Sequence, residues 1–196
     1  MSNRNFLRFN GKDGLVDLGK QPAHKIARDI TIEAWIYPEG QQRAYTGIVS
    51  RVFDTGATES GYGLLLSGEN GIMFGFKTPG ADFQYPKTPA GSLKIGQWQH
   101  VAATYDGKQA VLYINGERLA SHAFVAAALH YEPDHNLYLG TYLDNDERYP
   151  FQGLMADVRL FQIARTQDEI VRTMKHRLNG NEAGLVGYWP LDDGGI

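Results

Sequence analysis

The chain has 196 residues, no cysteine and a formal net charge of −3. A chain of this length suits one large all-β domain and buries roughly 70% of its unfolded surface, while the absence of cysteine excludes disulfides and thiolate metal sites. The charge predicts no binding to nucleic acid or to an anionic membrane surface. No apolar run approaches the ~20 residues of a membrane span. Residues 1–10 also lack an apolar core, so we expect neither membrane insertion nor a signal peptide in this sequence.

Alternating polarity between glycine-rich turns predicts short strands along the first half of the chain. The alternation is clearest in Ile30–Tyr37, where the even-numbered residues form an apolar face and the odd-numbered residues form a second face. Phe53–Gly61 and the proline-containing segment Thr78–Gly91 are expected to be loops. The expected strands are Phe6–Phe9, Leu15–Leu18, Ile30–Tyr37, Gly47–Val52, Tyr62–Leu66 and Ile72–Phe76.

Tight turns separate the predicted strands of the second half. Asp106-Gly107 and Asn115-Gly116 are typical of hairpin turns, because glycine and asparagine tolerate positive φ. Thr141–Pro150 is polar and acidic, and it is expected to be a loop. The expected strands are Trp98–Tyr105, Ala110–Ile114, Arg118–Phe124, Leu137–Gly140, Leu154–Phe161 and Leu185–Trp189.

One helix is predicted near the C-terminus. Thr166 is a favourable N-cap, and Glu169 three residues later completes a capping box. Ile170 begins an apolar repeat at helical spacing, so we expect the helix to run to about Arg177 and to pack on an edge of the sandwich. Together the elements predict an all-β fold, a two-sheet antiparallel jelly-roll sandwich with one short helix near the C-terminus, as a single domain over residues 1–196.

Five segments carry recognisable motifs, in the order FNGKDGLV, ITIEAWI, GQWQHVAATYDG, LYING and GLMADVRLF. They are Phe9–Val16, Ile30–Ile36, Gly96–Gly107, Leu112–Gly116 and Gly153–Phe161. In sequence and in order they resemble laminin-G-like jelly-roll domains of the concanavalin A-like lectin/glucanase superfamily, over nearly the whole chain. The resemblance implies a β-sandwich and an extracellular or cell-surface setting. It also implies a range of roles: glycan-binding modules, adhesion domains, calcium-dependent binders and ancillary domains of secreted enzymes, with glucanases among the related sandwiches.

The C-terminal segment has two interpretations. Gly184–Gly195 resembles the stretch that often links tandem copies of such domains, so residues 184–196 are a candidate linker to a further repeat. Alternatively, Leu185–Trp189 is the last strand of this domain.

The acidic segment that follows the predicted strand Leu137–Gly140 is a candidate calcium site. Calcium takes six to eight oxygen ligands, and residues 144–147 offer four oxygen-bearing side chains. Pentraxin-like members of the superfamily carry an acidic calcium loop at a similar place. A second loop could bring Asp54 or Glu59 to the same rim, and the alternative is a solvated acidic loop without an ion. The candidate metal ligands are Asp144, Asp146, Glu147 and Glu59.

Aromatic and polar side chains near this segment are candidate sugar-binding residues, since binding sites combine apolar and aromatic walls with a few polar groups. Tyr45 and Phe53 lie beside other loops and are further exposed candidates. Trp35, Trp98 and Trp189 lie in motif strands and are expected to fill the core. The candidate ligand-binding residues are Tyr142, Asp144, Asn145, Arg148, Tyr149 and Tyr85.

The sequence carries no recognisable catalytic motif. The only Glu-x-Asp, Glu132-Pro133-Asp134, lacks the third carboxylate of the sandwich glucanases, and Pro133 argues against a central strand. Zinc-protease, nucleophile-elbow and P-loop patterns do not occur. We therefore expect a non-catalytic carbohydrate-binding or adhesion module that uses rim loops and binds a glycan or glycoprotein, with calcium as a candidate cofactor. The alternatives are a structural or protein-interaction domain of a larger protein and, third, a glycan hydrolase.

Overall fold

The structure, a computed structural model, describes residues 6–55 and 57–192. Residues 1–5 and 193–196 lie outside the described residues. Residues 1–5 belong to the segment in which the sequence predicts no signal peptide, and residues 193–196 belong to the candidate linker to a further repeat. No helix within the described part of the chain is long and apolar enough to cross a membrane.

The larger of the two main sheets has seven antiparallel strands. They are β1 (Leu7–Asn10), β3 (Ile30–Pro38), β9 (Gln99–Tyr105), β10 (Gln109–Ile114), β11 (Glu117–Ala123), β15 (Gln152–Phe161) and β16 (Leu185–Trp189). Their order is β1-β15-β3-β9-β10-β11, and β16 also pairs with β15. Residues 185–189 are therefore part of this sheet.

The smaller sheet has five antiparallel strands and faces the larger one. They are β2 (Val16–Asp17), β4 (Ala44–Ser50), β7 (Tyr62–Ser67), β8 (Ile72–Phe76) and β12 (Tyr138–Leu139), in the order β2-β12-β4-β7-β8. Apolar residues from both sheets form one core between them. This arrangement confirms the predicted all-β, jelly-roll-like sandwich with one helix.

Two segments predicted to be loops contain short hairpins instead. The first is β5 (Phe53–Asp54) with β6 (Glu59–Ser60), and the second is β13 (Thr141–Leu143) with β14 (Arg148–Pro150). The loop prediction was wrong at both places because the strands are only two or three residues long, too short for alternation to be visible. In the second hairpin Tyr142 pairs with Tyr149.

Strand β3 shows why the sandwich has three layers at one end. Its even-numbered residues, from Ile30 to Ile36, lie in the core as predicted. Its odd-numbered residues Thr31, Glu33 and Trp35 are also buried, because the helix α1 (Gln167–Thr173) covers the outer face of the larger sheet. The helix therefore packs on a face of the sandwich rather than on its edge.

The capping box of α1 is present as predicted, since the Thr166 hydroxyl accepts from the Glu169 amide and the Glu169 carboxylate accepts from the Thr166 amide. The helix ends at Thr173 and not at Arg177. Side chains from the sheet bind the carbonyl groups that follow, because Trp35 Nε1 donates to Met174 O at 2.7 Å. The sheet thus takes the hydrogen bonds that a longer helix would use internally.

The tryptophans differ in their surroundings, so the prediction that all three fill the core was wrong. Trp35 is buried, but under α1 on the outer face of the sheet. Trp98 is half-buried on that same face, where its ring contacts Phe6 and Tyr37. Only Trp189, itself half-buried, packs against the main core.

Candidate functional site

The outer face of the smaller sheet carries a second apolar cluster, separate from the main core. Along β7, Leu64 and Leu66 point into the core while Leu65 points outward, as strand alternation requires. The members of the outer cluster are Val52, Leu65, Met73, Phe83 and Tyr142, with Tyr85 and Tyr149 packed against them. Aromatic side chains from two separate segments, residues 83–85 and the β13–β14 hairpin, thus meet on this face.

Gly47 allows the β13–β14 hairpin to lie against the sheet. A Cβ at this position would come within 2.1 Å of the Thr141 carbonyl carbon and of the Tyr142 nitrogen. Only glycine lets the backbones of β4 and β13 approach so closely. This contact fixes where Tyr142 and Tyr149 lie.

Four tyrosines and two carboxylates line a pocket of about 220 Å³ on this face, which we call the tyrosine pocket. Its lining residues are Tyr45, Asp54, Tyr85, Tyr142, Glu147 and Tyr149. The rings form a continuous arc, because Tyr45 lies 5.3 Å from Tyr85 and 6.1 Å from Tyr149, and Tyr149 lies 5.5 Å from Tyr142 between ring centroids. Such a wall offers aromatic faces and hydrogen-bonding groups side by side.

Tyr45 is the most exposed of these rings, at 42%. Its φ is 65°, in the left-handed region that bulky residues avoid. The register between β4 and β7 shifts between Ala44 and Gly47, and this irregularity projects the Tyr45 side chain outward. The backbone is therefore strained at the point where the ring enters the pocket.

Asp144 positions the two small hairpins next to the pocket through hydrogen bonds. One carboxylate oxygen accepts from the amides of Asp146 and Glu147, at 3.2 and 2.9 Å, and so shapes the hairpin turn. The other accepts from the Tyr142 hydroxyl and, at 3.3 Å, from the Asp54 amide. Asp144 itself is only 8% exposed, so it is a positioning residue that joins both small hairpins.

The tyrosine hydroxyls stay protonated in this environment. Burial raises the pKa of Tyr85, and the negative charges of Asp54, Glu59 and Glu147 raise it further. Burial and the hydrogen bond to Asp144 likewise raise the pKa of Tyr142. For Tyr149 the hydrogen bond to Glu147 is the largest cause of a raised pKa. These hydroxyls are therefore hydrogen-bond donors at any physiological pH.

The structure brings together some of the residues named from the sequence and separates others. Tyr85, Tyr142, Tyr149 and Glu147 line the tyrosine pocket. Asn145 and Asp146 are exposed at the hairpin tip outside the lining.

Two further candidates also lie outside the lining. Arg148 turns away from the pocket, because its guanidinium donates to Asp13 O at 2.6 Å. Glu59 pairs with Lys77 at 2.5 Å.

Tyr45 and Asp54 complete the lining, although the sequence only places them in or beside loops. The sequence signal for these two residues is weak, because whether they line a pocket depends on which loops come together in the fold. Asp54 precedes Glu59 by five residues in the loop that the sequence already associates with the rim. Nothing local to Tyr45 distinguishes it from Phe53, whose ring contacts His135 instead.

The candidate calcium ligands do not fit a calcium site as they are arranged. Both carboxylate oxygens of Asp144 already accept hydrogen bonds, and Glu147 accepts from the Tyr149 hydroxyl at 2.8 Å. Within residues 6–55 and 57–192, no group of three or more histidine, aspartate or glutamate side chains is placed to hold a metal ion. Calcium binding stays a prediction that requires the hairpin tip to rearrange.

The Glu-x-Asp segment is engaged elsewhere in the fold. Asp134 forms an ion pair at 2.5 Å with Arg51, which is buried. The exposed Glu132 lies 3.8 Å from Lys25. His100 is fully buried 3.3 Å from Glu33, in a packed, structural environment.

A model of the concanavalin A-like lectin/glucanases superfamily, of the laminin G type, matches residues 10–171. Mouse pappalysin-1 is 28% identical over 164 residues, which cover 78% of this chain and 10% of that protein. The chain thus spans about a tenth of the length of this curated relative.

Solved structures with low sequence identity share the fold. A putative carbohydrate binding protein from Bacteroides ovatus has a TM-score of 0.73 and 22% identity, over 96% of this chain and 52% of that one. The CBM40 module of a Ruminococcus gnavus sialidase, bound to α2,3 sialyllactose, has a TM-score of 0.71 and 20% identity, over 86% and 96%. Domains LG4-5 of the mouse laminin α1 chain have a TM-score of 0.58 and 21% identity, over 80% and 40%.

Proposed function

The chain belongs to the concanavalin A-like lectin/glucanases superfamily, and we propose that it is a non-catalytic glycan-binding module that takes its ligand in the tyrosine pocket. The observation that carries this proposal is the arc of four tyrosine rings beside two carboxylates. Sugar rings present C–H faces that pack on aromatic rings, and their hydroxyls donate to carboxylates. Relatives of the same fold include a putative carbohydrate binding protein and a module bound to sialyllactose, which supports the same class of ligand.

The pocket suits a small part of a glycan. Its volume of about 220 Å³ is below the ~300–1,000 Å³ of pockets for drug-sized ligands. We therefore infer that it holds one sugar residue, with the rest of the glycan over the neighbouring surface. An extracellular or cell-surface setting, in which glycans are displayed, belongs to the same proposal.

A glycan array followed by titration calorimetry tests this function. Tyr45→Ala removes an exposed ring from the pocket and is expected to abolish detectable binding, because the arc loses the ring that contacts both Tyr85 and Tyr149. Phe6→Ala is the matched control, since Phe6 is 39% exposed but lies beside Trp98 on the other sheet. Binding that survives Tyr45→Ala, or that is lost equally in Phe6→Ala, would move the site away from the pocket.

We infer that the module does not hydrolyse its ligand. Asp54 and Glu147 both line the pocket, but neither is buried, whereas the general acid of a glycosidase typically lies in an apolar environment. Incubation of the protein with each glycan that it binds should leave the glycan intact, as measured by mass spectrometry. Release of a product that is lost in Glu147→Gln would instead favour a hydrolase.

Calcium dependence is proposed only as a measurable addition to glycan binding. A ligand that binds only the native state raises the unfolding temperature. At a ligand concentration of 100 times Kd, it stabilises the native state by roughly 2.7 kcal/mol. Thermal unfolding in EDTA and then in millimolar calcium would show a rise of several degrees, lost in Asp146→Ala, if the hairpin tip binds the ion. Equal midpoints in both buffers would remove calcium from the proposal.

Protein interaction in the form of self-association is the second candidate function, and one observation favours it. Val125 is 91% exposed and lines a groove of about 390 Å³ together with Phe124, Ala126 and Ala127. Exposed apolar surface of this kind often marks protein contacts. Light scattering over a concentration series, with Val125→Ser as the control, would detect self-association through this groove, and a monomer throughout would count against it.

A further inference from the structure

The tyrosine pocket has a charge that limits which ligands it accepts. Besides the tyrosines, its ionisable lining residues are Asp54 and Glu147. No lysine, arginine or histidine is among the described residues that line it. The tyrosine rings add the negative potential of their π faces. The lining itself therefore contributes two carboxylates and no cationic side chain.

Arg43 contacts one lining residue from outside the pocket, whereas Lys77 and Arg148 are engaged away from the lining. The Arg43 guanidinium lies over the Tyr149 ring, 5.4 Å from its centroid. Lys77 is paired with Glu59 at 2.5 Å, and Arg148 donates to Asp13 O. Glu147 is held by a neutral donor, the Tyr149 hydroxyl at 2.8 Å. That hydrogen bond orients the carboxylate without cancelling its charge.

The raised pKa of Tyr85 is consistent with a negative field on its side of the pocket. After burial, the causes that raise the pKa of Tyr85 are the charges of Asp54, Glu59 and Glu147 and the neighbouring Tyr45. Each of these disfavours a second negative charge in the pocket. An anionic sugar carboxylate would meet the same repulsion, while a cation would be attracted both by the carboxylates and by the ring faces.

We propose that the tyrosine pocket selects a ligand with a protonated amino group, in the form of an unacetylated amino sugar within a glycan. Aromatic rings that surround a cation, with acidic groups beside them, are the arrangement by which proteins recognise ammonium groups. The inference rests on the proposed glycan-binding function, and it adds that the sugar in the pocket is cationic. It also predicts that sialylated glycans, which are anionic, are rejected.

Titration calorimetry with two pairs of probes tests the charge directly. The first pair is a glucosamine tetrasaccharide and its N-acetylated counterpart, which differ in the charge of the amine. The second pair is choline and its neutral isostere 3,3-dimethylbutan-1-ol. We expect each cation to bind about tenfold or more tightly than its neutral partner, the order of one desolvated cation–π contact. Glucosamine binding should weaken as the amine loses its proton at high pH, whereas choline binding should not.

Charge-neutralising substitutions test whether the preference for cations arises in the tyrosine pocket. Glu147→Gln keeps the shape of the side chain and should weaken cation binding about tenfold. Asp146→Asn is the matched control, because Asp146 is the adjacent residue, carries the same charge and lies exposed outside the lining. Equal effects of the two substitutions would overturn the proposal, since they would indicate only a general surface field.

The outcomes separate this inference from the proposed function. Tyr45-dependent binding of neutral glycans with no preference for the amine would overturn the charge selectivity and leave the glycan-binding module intact. Binding of choline without any glycan would support selection of ammonium groups and overturn the glycan as the ligand. Binding of neither cations nor glycans would overturn both.

Discussion

Tyr45 is exposed and is held in a strained backbone conformation, and this strain affects the stability of the protein. A bulky residue at a φ of 65° costs of order 1–3 kcal/mol, and the surrounding structure holds it there. The ring that this backbone projects contacts Tyr85 and Tyr149 at the mouth of the tyrosine pocket. Strain of this kind is common where a side chain serves a ligand rather than the fold.

Tyr45→Asn is expected to separate stability from binding. Asparagine tolerates the left-handed conformation, so the free energy of unfolding in urea should stay unchanged or rise by about 1 kcal/mol. Glycan affinity should fall by tenfold or more, because the pocket loses a ring. A clear loss of stability would mean that the contacts of the Tyr45 ring outweigh the strain, and unchanged affinity would leave the strain without a ligand-binding role.

At the scale of elements, the helix α1 is held to the larger sheet by a buried charge cluster. Glu33 on β3 is fully buried, and one of its oxygens accepts from Arg165 while the other lies 3.4 Å from Arg159. Burial opposes ionisation of Glu33, but His100 and the two arginines outweigh it and keep the pKa of Glu33 below its usual value. Arg159 also donates to His176 O at 2.6 Å, just beyond the helix.

Glu33→Gln is expected to destabilise the protein by about 3–5 kcal/mol, because it leaves two buried arginines without their counter-ion. Glu39→Gln is the control: Glu39 follows β3 directly, and its ion pair with Arg8 at 2.6 Å is exposed, so its removal should cost less than about 1 kcal/mol. Urea unfolding measures both. A loss below 1 kcal/mol for Glu33→Gln would show that the cluster contributes specificity rather than stability.

At the scale of the whole molecule, two histidines link stability to pH. Burial, with the charge of Arg51, lowers the pKa of His24 below 6.5. Burial also lowers the pKa of His135, although its hydrogen bond to Leu143 O at 2.7 Å opposes the change. As the pH falls below 6.5, the unfolded chain therefore takes up protons that the native state does not, and stability decreases.

We expect the free energy of unfolding to fall as the pH is lowered from 7 to about 5, the range in which histidine titrates. His24→Phe keeps an aromatic ring against Trp189 and should flatten this dependence. His122→Asn, at an exposed position on β11, should leave the dependence as it is. A slope that is the same in all three proteins would assign the acid sensitivity to other groups.

The sequence by itself determined the strands of the two main sheets, the capped helix and the family. These features are local: alternation of period two, glycine turns and the capping box each lie within a few consecutive residues. Even the four residues Tyr85, Tyr142, Glu147 and Tyr149 could be named, because aromatic and acidic side chains stand out in loops.

Only the tertiary structure decided which of these side chains meet. The backbone approach at Gly47, the register shift at Tyr45 and the hydrogen bonds of Asp144 join segments that are up to 95 residues apart. In the same way, the covering helix, and not the pattern of β3, decided that Glu33 and Trp35 are buried. A sequence pattern tells which face of a strand a residue occupies, but the element that covers that face is fixed by long-range packing.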